Sequence, residues 1–216
     1  MQINMIPKNN HKREIIESLN RSQLFFKRFF DITASAFGLC AVWWIIILSY
    51  VLAKRDTGLS GFFVQDRVGR NGTIFKIIKV RTMRPVHGVD TVVTTDEDPR
   101  ITNLGRFWRK TKIDELPQLI NVLKGEMSFV GPRPDVPGFT DMLVGEERLI
   151  LSVRPGITGP ATLKYHDEEQ ILKEVADPER YNREVIFPDK VHINLEYVRN
   201  YSFWKDLKYI WMTVFR

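Results

Sequence analysis

Between Asp31 and Lys54 lie 22 consecutive residues, Ile32 to Ala53, without a single charge. As a helix this run is about 33 Å long at ~1.5 Å per residue, roughly the thickness of a bilayer core. Such a run needs either lipid or a complete protein coat around it. It is too long and starts too late for a cleavable signal peptide, and no small-x-small site follows it. Both flanks are basic: Lys27 and Arg28 lead in, and Lys54 and Arg55 lead out. Positive flanks prefer the cytoplasmic side, so a straight span would have to place one of them outside. A re-entrant helix, bent so that both ends return to one face, removes that conflict. No proline marks a bend, however, and only Ser35, Gly38 and Ser49 are there to loosen the helix. The residues alone leave open a spanning helix, a re-entrant one and, as the bland alternative, a buried helix of a soluble protein.

The remainder fits one domain. The chain has 216 residues, 44% hydrophobic and 27% charged, enough for a single packed core and little more. Its net charge of +6 favours anionic partners such as phosphates or acidic lipids without choosing among them. The single Cys40 excludes an intrachain disulfide. His11, His87, His166 and His192 lack metal-site spacing, which argues against zinc. We divide the chain into a polar surface segment, 1–22, with a helix around Lys12 to Leu19; a membrane-inserted helix, 23–54; and a compact domain, 55–216. The expected class is α+β, mainly helical. Phe62-Phe63-Val64-Gln65 and Phe75 to Val80 read as strands of a short hairpin about the turn Asn71-Gly72. In the second strand Lys79 and Arg81 stand two apart and share a face. His87 to Pro99 reads as a mobile loop, Glu168 to Ala176 and Val191 to Arg199 as helical, and Tyr181 to Lys190 as irregular. Phe203, Trp204, Leu207, Ile210, Trp211, Val214 and Phe215 recur at helical spacing. They fit an amphipathic helix lying in a membrane interface or an ordinary core-facing one.

Three stretches can carry chemistry. Ile113-Asp114-Glu115-Leu116-Pro117 places two carboxylates at the start of a helix whose apolar stripe is Leu116, Leu119, Ile120 and Leu123. Neighbours on a helix point about 100° apart, so the pair suits divided roles better than a facing acid and base. Arg100, Arg106, Arg109, Lys110 and Lys112 precede them, and these cations with the helix end are expected to keep both carboxylates ionised and attract phosphate. Judged alone, helix capping explains the pair better. In Gly131-Pro132-Arg133-Pro134 an arginine sits on a backbone stiffened by two prolines, fit to aim at a phosphate or simply to turn the chain. Arg154-Pro155-Gly156-Ile157-Thr158-Gly159-Pro160 is a second such turn headed by a basic residue.

In order along the chain these stretches resemble the bacterial sugar transferase family, the monotopic phosphoglycosyl transferases. The resemblance runs from Lys27-Arg28-Phe29-Phe30-Asp31 to the C-terminus. It passes through Gln65-Asp66-Arg67-Val68-Gly69, Phe75 to Met83, Asp114-Glu115-Leu116-Pro117-Gln118, Asn121 to Gly125, Met127 to Pro134 and Arg154 to Gly159. The resemblance implies an Mg²⁺-dependent enzyme that moves a sugar 1-phosphate from a UDP-sugar to polyprenyl (undecaprenyl) phosphate and releases UMP. It implies Asp114 as the nucleophile of a covalent aspartyl phosphosugar, Glu115 as catalytic partner and metal ligand, and Lys79, Arg81, Arg133 and Arg154 as phosphate or substrate contacts. It also implies a re-entrant helix in the bacterial inner membrane, a cytoplasmic catalytic domain and a place early in cell-surface polysaccharide assembly. Three positions depart from the family pattern. Trp43-Trp44 stands where Ser-Pro often bends the helix, Leu59-Ser60 where Gly-Pro is expected, and Asn194 where an Asp is common. Gly159 to Tyr165 resembles the lipopolysaccharide and exopolysaccharide branch without naming the sugar. A membrane-anchored basic module for nucleic acid leaves the Asp-Glu pair without a reason, and no aromatic-lined groove accompanies it. A polytopic transferase needs many apolar segments, and one is present. The expected partners are therefore the UDP-sugar, the polyprenyl phosphate and the lipid bilayer, with no nucleic acid; a large apolar surface permits a homodimer.

Overall fold

The computed structural model describes residues 21–86, 94, 95 and 98–215. The surface helix expected around Lys12 to Leu19 and most of the loop expected over His87 to Pro99 lie outside the described residues. The apolar run forms one helix, α1, Arg21–Thr57, uninterrupted through Trp43-Trp44. It is the one helix among the described residues long and apolar enough to cross a membrane, and only 17% of its most apolar stretch is buried. A core helix of a soluble protein would be mostly covered. At about 55 Å the whole helix exceeds a bilayer core, so its charged ends belong outside it. One face of the helix meets protein along its length: Ser35, Ile46 and Ser49 are buried, and a Cβ on Gly38 would stand 3.2 Å from Leu119. Arg28 donates to the carbonyls of Val122 (2.7 Å) and Leu123 (2.9 Å), while Ala53 packs with Val80 and Trp108. Phe37, Trp43, Trp44, Ile47 and Leu48 between them are exposed.

The hairpin forms as expected but with longer strands: β1, Phe62–Val68, pairs antiparallel with β2, Ile74–Val80, and Asn71 takes the left-handed conformation of the turn. Next come α2, Asn103–Thr111, capped by Thr102 Oγ1 on Gly105 N (2.9 Å), and a 3₁₀ turn, Ile113–Glu115. The short helix α3, Gln118–Lys124, follows, then β3, Ser128–Val130, and β4, Gly156–Thr158. β3 and β4 pair in parallel, which joins the two Gly/Pro turns that the sequence reading treats separately. The crossing is tight. A Cβ on Gly156 would stand 2.1 Å from Gly131 N, and one on Gly159 2.4 Å from Gly131 O. No side chain fits there.

The rest is helical: α4, Pro160–Lys164; α5, Glu168–Lys173; α6, Pro178–Tyr181; α7, Phe187–Arg199; and α8, Phe203–Val214. Tyr181 to Lys190, expected to be irregular, is instead a π-turn over Asn182–Ile186 running into α7. The prolines there begin helices rather than break them. Pro178 follows the N-cap Asp177, and Pro188 sits in the first turn of α7, where no amide donor is needed. The core under the hairpin is Phe75, Ile77, Val122 and Met127; a second cluster, Val130, Val153, Tyr197, Val198 and Tyr201, lies under α8. α8 resolves the two readings of its stripe by using both faces. Tyr209 and Ile210 pack on that cluster, while Trp204, Trp211 and Val214 stand exposed.

Candidate active site

Asp114 and Glu115 lie in the 3₁₀ turn between α2 and α3. Lys112, in the left-handed conformation, swings the chain into it, and both carboxylates are buried. Glu115 Oε1 accepts from Lys79 Nζ at 3.2 Å and from Arg133 at 2.6 Å. β2 supplies the lysine, and the segment after β3 supplies the arginine. Burial alone would raise the Glu115 carboxyl, but Arg133 and Lys79 hold it well below the usual carboxylate range. Asp114 differs. Burial, and then the Glu115 charge beside it, push its carboxyl up against the pull of Lys79, Arg109 and Lys112. Its Oδ1 is buried without a hydrogen-bond partner. The shared turn gives the two carboxylates unlike surroundings: Arg133 and Lys79 hold Glu115 in its charged form, while burial and the Glu115 charge work against the charge on Asp114. Two titratable groups with diverging environments mark divided roles.

Of the other expected contacts, Lys79 and Arg133 join the pair, whereas Arg81 and Arg154 bond elsewhere. Arg81 lies past the end of β2 and donates to the carbonyls of Ser60 (2.7 Å) and Phe62 (3.2 Å), bracing the turn that contains Leu59-Ser60. Strand alternation stops applying once the strand stops. Arg154 Nε donates to Gly125 O at 2.8 Å, at the end of α3. Asn194 is buried on α7 with Oδ1 unpartnered.

The sequence reading passed over Arg67 and Asp135. The hairpin register pairs Phe63 with Lys79 and Phe75 with Arg67, so Arg67 shares a face with Lys79; strand alternation would have found it once the register was known. Arg67 donates to Pro134 O (3.1 Å) and Gln65 Oε1 (2.7 Å), and its guanidinium is lowered to about 10 by burial and by Arg133. Asp135 follows the Arg133-Pro134 step. Burial lifts its carboxyl to about 6 against the pull of Lys190 and Arg67. Across the site Arg109 of α2 pairs with Glu169 of α5. The assembly brings Lys79, Arg67, Arg109 and Arg133 together with Asp114, Glu115, Asp135 and Glu169, and leaves one Asp114 oxygen without a partner. Among the described residues no three His, Cys, Asp or Glu side chains converge as a metal cage. Mg²⁺ needs no such cage, because it commonly takes one or two carboxylates and completes its shell with phosphate and water oxygens. The ionised Glu115 beside a free Asp114 oxygen is a donor set that fits it.

The fold thus brings two buried carboxylates and a Pro-flanked arginine to one place. Residues 22–216 match the bacterial sugar transferase family, and the chain belongs to it. It is 37% identical over 89% of its length to the galactosyl transferase CpsE of Streptococcus agalactiae, covering 42% of that protein. An uncharacterized sugar transferase of Bacillus subtilis, EpsL, is 35% identical, over 88% of this chain and 86% of its own. A UDP-glucose:undecaprenyl-phosphate glucose-1-phosphate transferase of Klebsiella pneumoniae is 34% identical, over 92% of this chain and 41% of that protein. The chain thus spans about two fifths of the length of the streptococcal and Klebsiella relatives.

Proposed function

We propose that this chain moves a sugar 1-phosphate from a UDP-sugar to polyprenyl phosphate, with release of UMP, at the cytoplasmic face of the bacterial inner membrane. The observation that carries the proposal is the unlike pair: Glu115 charged and gripped by Lys79 and Arg133, Asp114 buried with a free oxygen. Asp114 attacks the β-phosphorus of the donor. A new oxygen–phosphorus bond forms as the bond from that phosphorus to the bridging oxygen breaks, and UMP leaves with that oxygen. An oxygen of polyprenyl phosphate then attacks the same phosphorus, the bond to Asp114 breaks, and the carboxylate is restored as the diphosphate-linked sugar leaves. Lys79 and Arg133, beside Glu115, would stabilise the charge that develops on the phosphoryl oxygens. Mg²⁺, when bound, neutralises the diphosphate, and Glu115 would hold it.

The helix α1 supports the re-entrant form of the anchor. A crossing helix carries its ends to opposite sides, whereas Arg28 near one end and Ala53 near the other both pack on the same domain. The exposed Phe37, Trp43 and Trp44 between them would then face lipid, with Trp204 and Trp211 of α8 at the interface.

Purified protein in detergent, with Mg²⁺, a polyprenyl phosphate and a panel of UDP-sugars, is expected to release UMP with at least one of them. A folded preparation that releases none overturns the proposal. For the anchor, Asn10→Cys in a Cys40→Ser background is expected to resist an impermeant thiol label applied outside intact cells; ready labelling would make α1 a spanning helix.

A further inference from the structure

A second buried polar cluster, outside the Asp114–Glu115 site, fastens α1 to the domain. Lys27 Nζ donates to Val130 O at 2.9 Å and to Asp206 Oδ2 at 2.5 Å. Asp206 also accepts from Tyr197 OH (2.7 Å) and Tyr201 OH (3.3 Å), and the Tyr201 ring lies 5.6 Å from Lys27 Nζ. One turn along α1, Asp31 Oδ1 accepts from Ser128 Oγ (3.0 Å) and Phe129 N (3.1 Å). Lys27, Asp31, Ser128, Tyr197, Tyr201 and Asp206 are all buried. A buried lysine–aspartate pair gains little over apolar packing, so stability is a weak reason for having one here. Its position gives a better one. The contacts from α1 fall on the three residues of β3, and β3 leads directly into Gly131-Pro132-Arg133-Pro134. On its other side β3 is tied to β4, with Ser128 N on Pro155 O (2.8 Å) and Gly131 N on Thr158 O (2.9 Å). The two prolines leave the Arg133 backbone little slack, so a shift of β3 carries through to the guanidinium that bonds Glu115.

We propose that Lys27 and Asp31 are positioning residues for Arg133: through β3, the membrane helix sets where that guanidinium meets the donor's diphosphate. This rests on the phosphoryl-transfer reading above. The pair Lys27→Met with Asp206→Leu replaces two buried charges by apolar groups, a change such sites tolerate, and removes the donor to Val130. It is made in the wild-type and Arg133→Ala backgrounds, reading both kcat/KM and the Kd for the UDP-sugar. We expect about a 10-fold loss in the wild-type background and less than about a 2-fold change once Arg133 is gone. Ser128→Ala, which deletes one hydrogen bond, is expected to show a smaller loss with the same dependence and an unchanged thermal midpoint. Equal losses in both backgrounds overturn the inference, since a merely structural network would act regardless of Arg133. The Kd keeps the two questions apart. A wild type that binds UDP-sugar without releasing UMP sinks the transferase reading, while the dependence on Arg133 still decides this one.

Discussion

The root of α1 and the Asp114–Glu115 site are both built on buried ion pairs, yet they differ in how far the cation is covered. At the root, the side chains of Lys27 and Asp206 are 8% and 3% exposed, and Tyr197, Tyr201, Ser128 and a backbone amide donate to its carboxylates. At the Asp114–Glu115 site, Glu115 is nearly as buried at 10%, but Arg133 is 40% exposed. Each region keeps one buried carboxylate oxygen without a partner, Asp31 Oδ2 at the root and Asp114 Oδ1 at the site. Charge pairing alone therefore does not distinguish a fastener from a reactive site. What distinguishes them is the cation: Lys27 is buried with its partner, whereas Arg133 keeps a face open to solvent and so to a ligand.

The sharpest way to test that contrast is Asp114→Asn. On the proposed mechanism it is expected to cost at least ~10³-fold in turnover, because the proposed nucleophile is gone. The thermal midpoint at neutral pH should hold or rise, since a charge disfavoured by burial is removed; retained turnover would move the nucleophile elsewhere. At the root the pattern should invert. Lys27→Ala leaves Asp206 buried and unpaired, and is expected to destabilise the protein by about 3–5 kcal/mol in detergent unfolding. An unchanged midpoint would mean that Asp206 does not depend on Lys27 for its burial. A third test uses pH. Asp114 must lose its proton to attack, and its raised carboxyl puts the acid limb of kcat above the ordinary carboxylate range. Glu115→Gln removes the neighbouring negative charge, so the limb of the residual activity should move to lower pH; a stationary limb would show that another group titrates. The smallest effect is expected at Asp135, whose carboxyl is lifted to about 6. Below pH ~4 it is protonated in both the folded and unfolded chain and costs nothing; above pH ~6 it is charged in both, and the folded state bears the penalty. Asp135→Asn should therefore stabilise by roughly 1–3 kcal/mol at pH 8, and the gain should vanish below pH 4.

What could be read from the sequence follows from which interactions are local. The helix over Ile32 to Ala53, the turn at Asn71-Gly72 and the carboxylates ahead of α3 rest on runs of neighbouring residues, and all three are found in the structure. Lys79 and Arg133 were singled out by spacing and by prolines, and they meet on Glu115. Arg81 and Arg154 were singled out by the same signals but serve carbonyls instead, because a basic residue near a turn does not reveal which oxygen it will meet. The β3–β4 pairing and the root cluster join residues far apart in the chain, and no local pattern announces such contacts. Asp114 and Glu115 look alike as neighbouring acids, and only the surroundings in three dimensions separate them.

The root cluster also bears on how the molecule is made. Lys27 and Asp206 are 179 residues apart. At a synthesis rate of about 5–20 residues per second, Asp206 emerges some 10–40 s after Lys27. Until then the buried lysine has no acid to pair with, so the root closes only after α8 has been made.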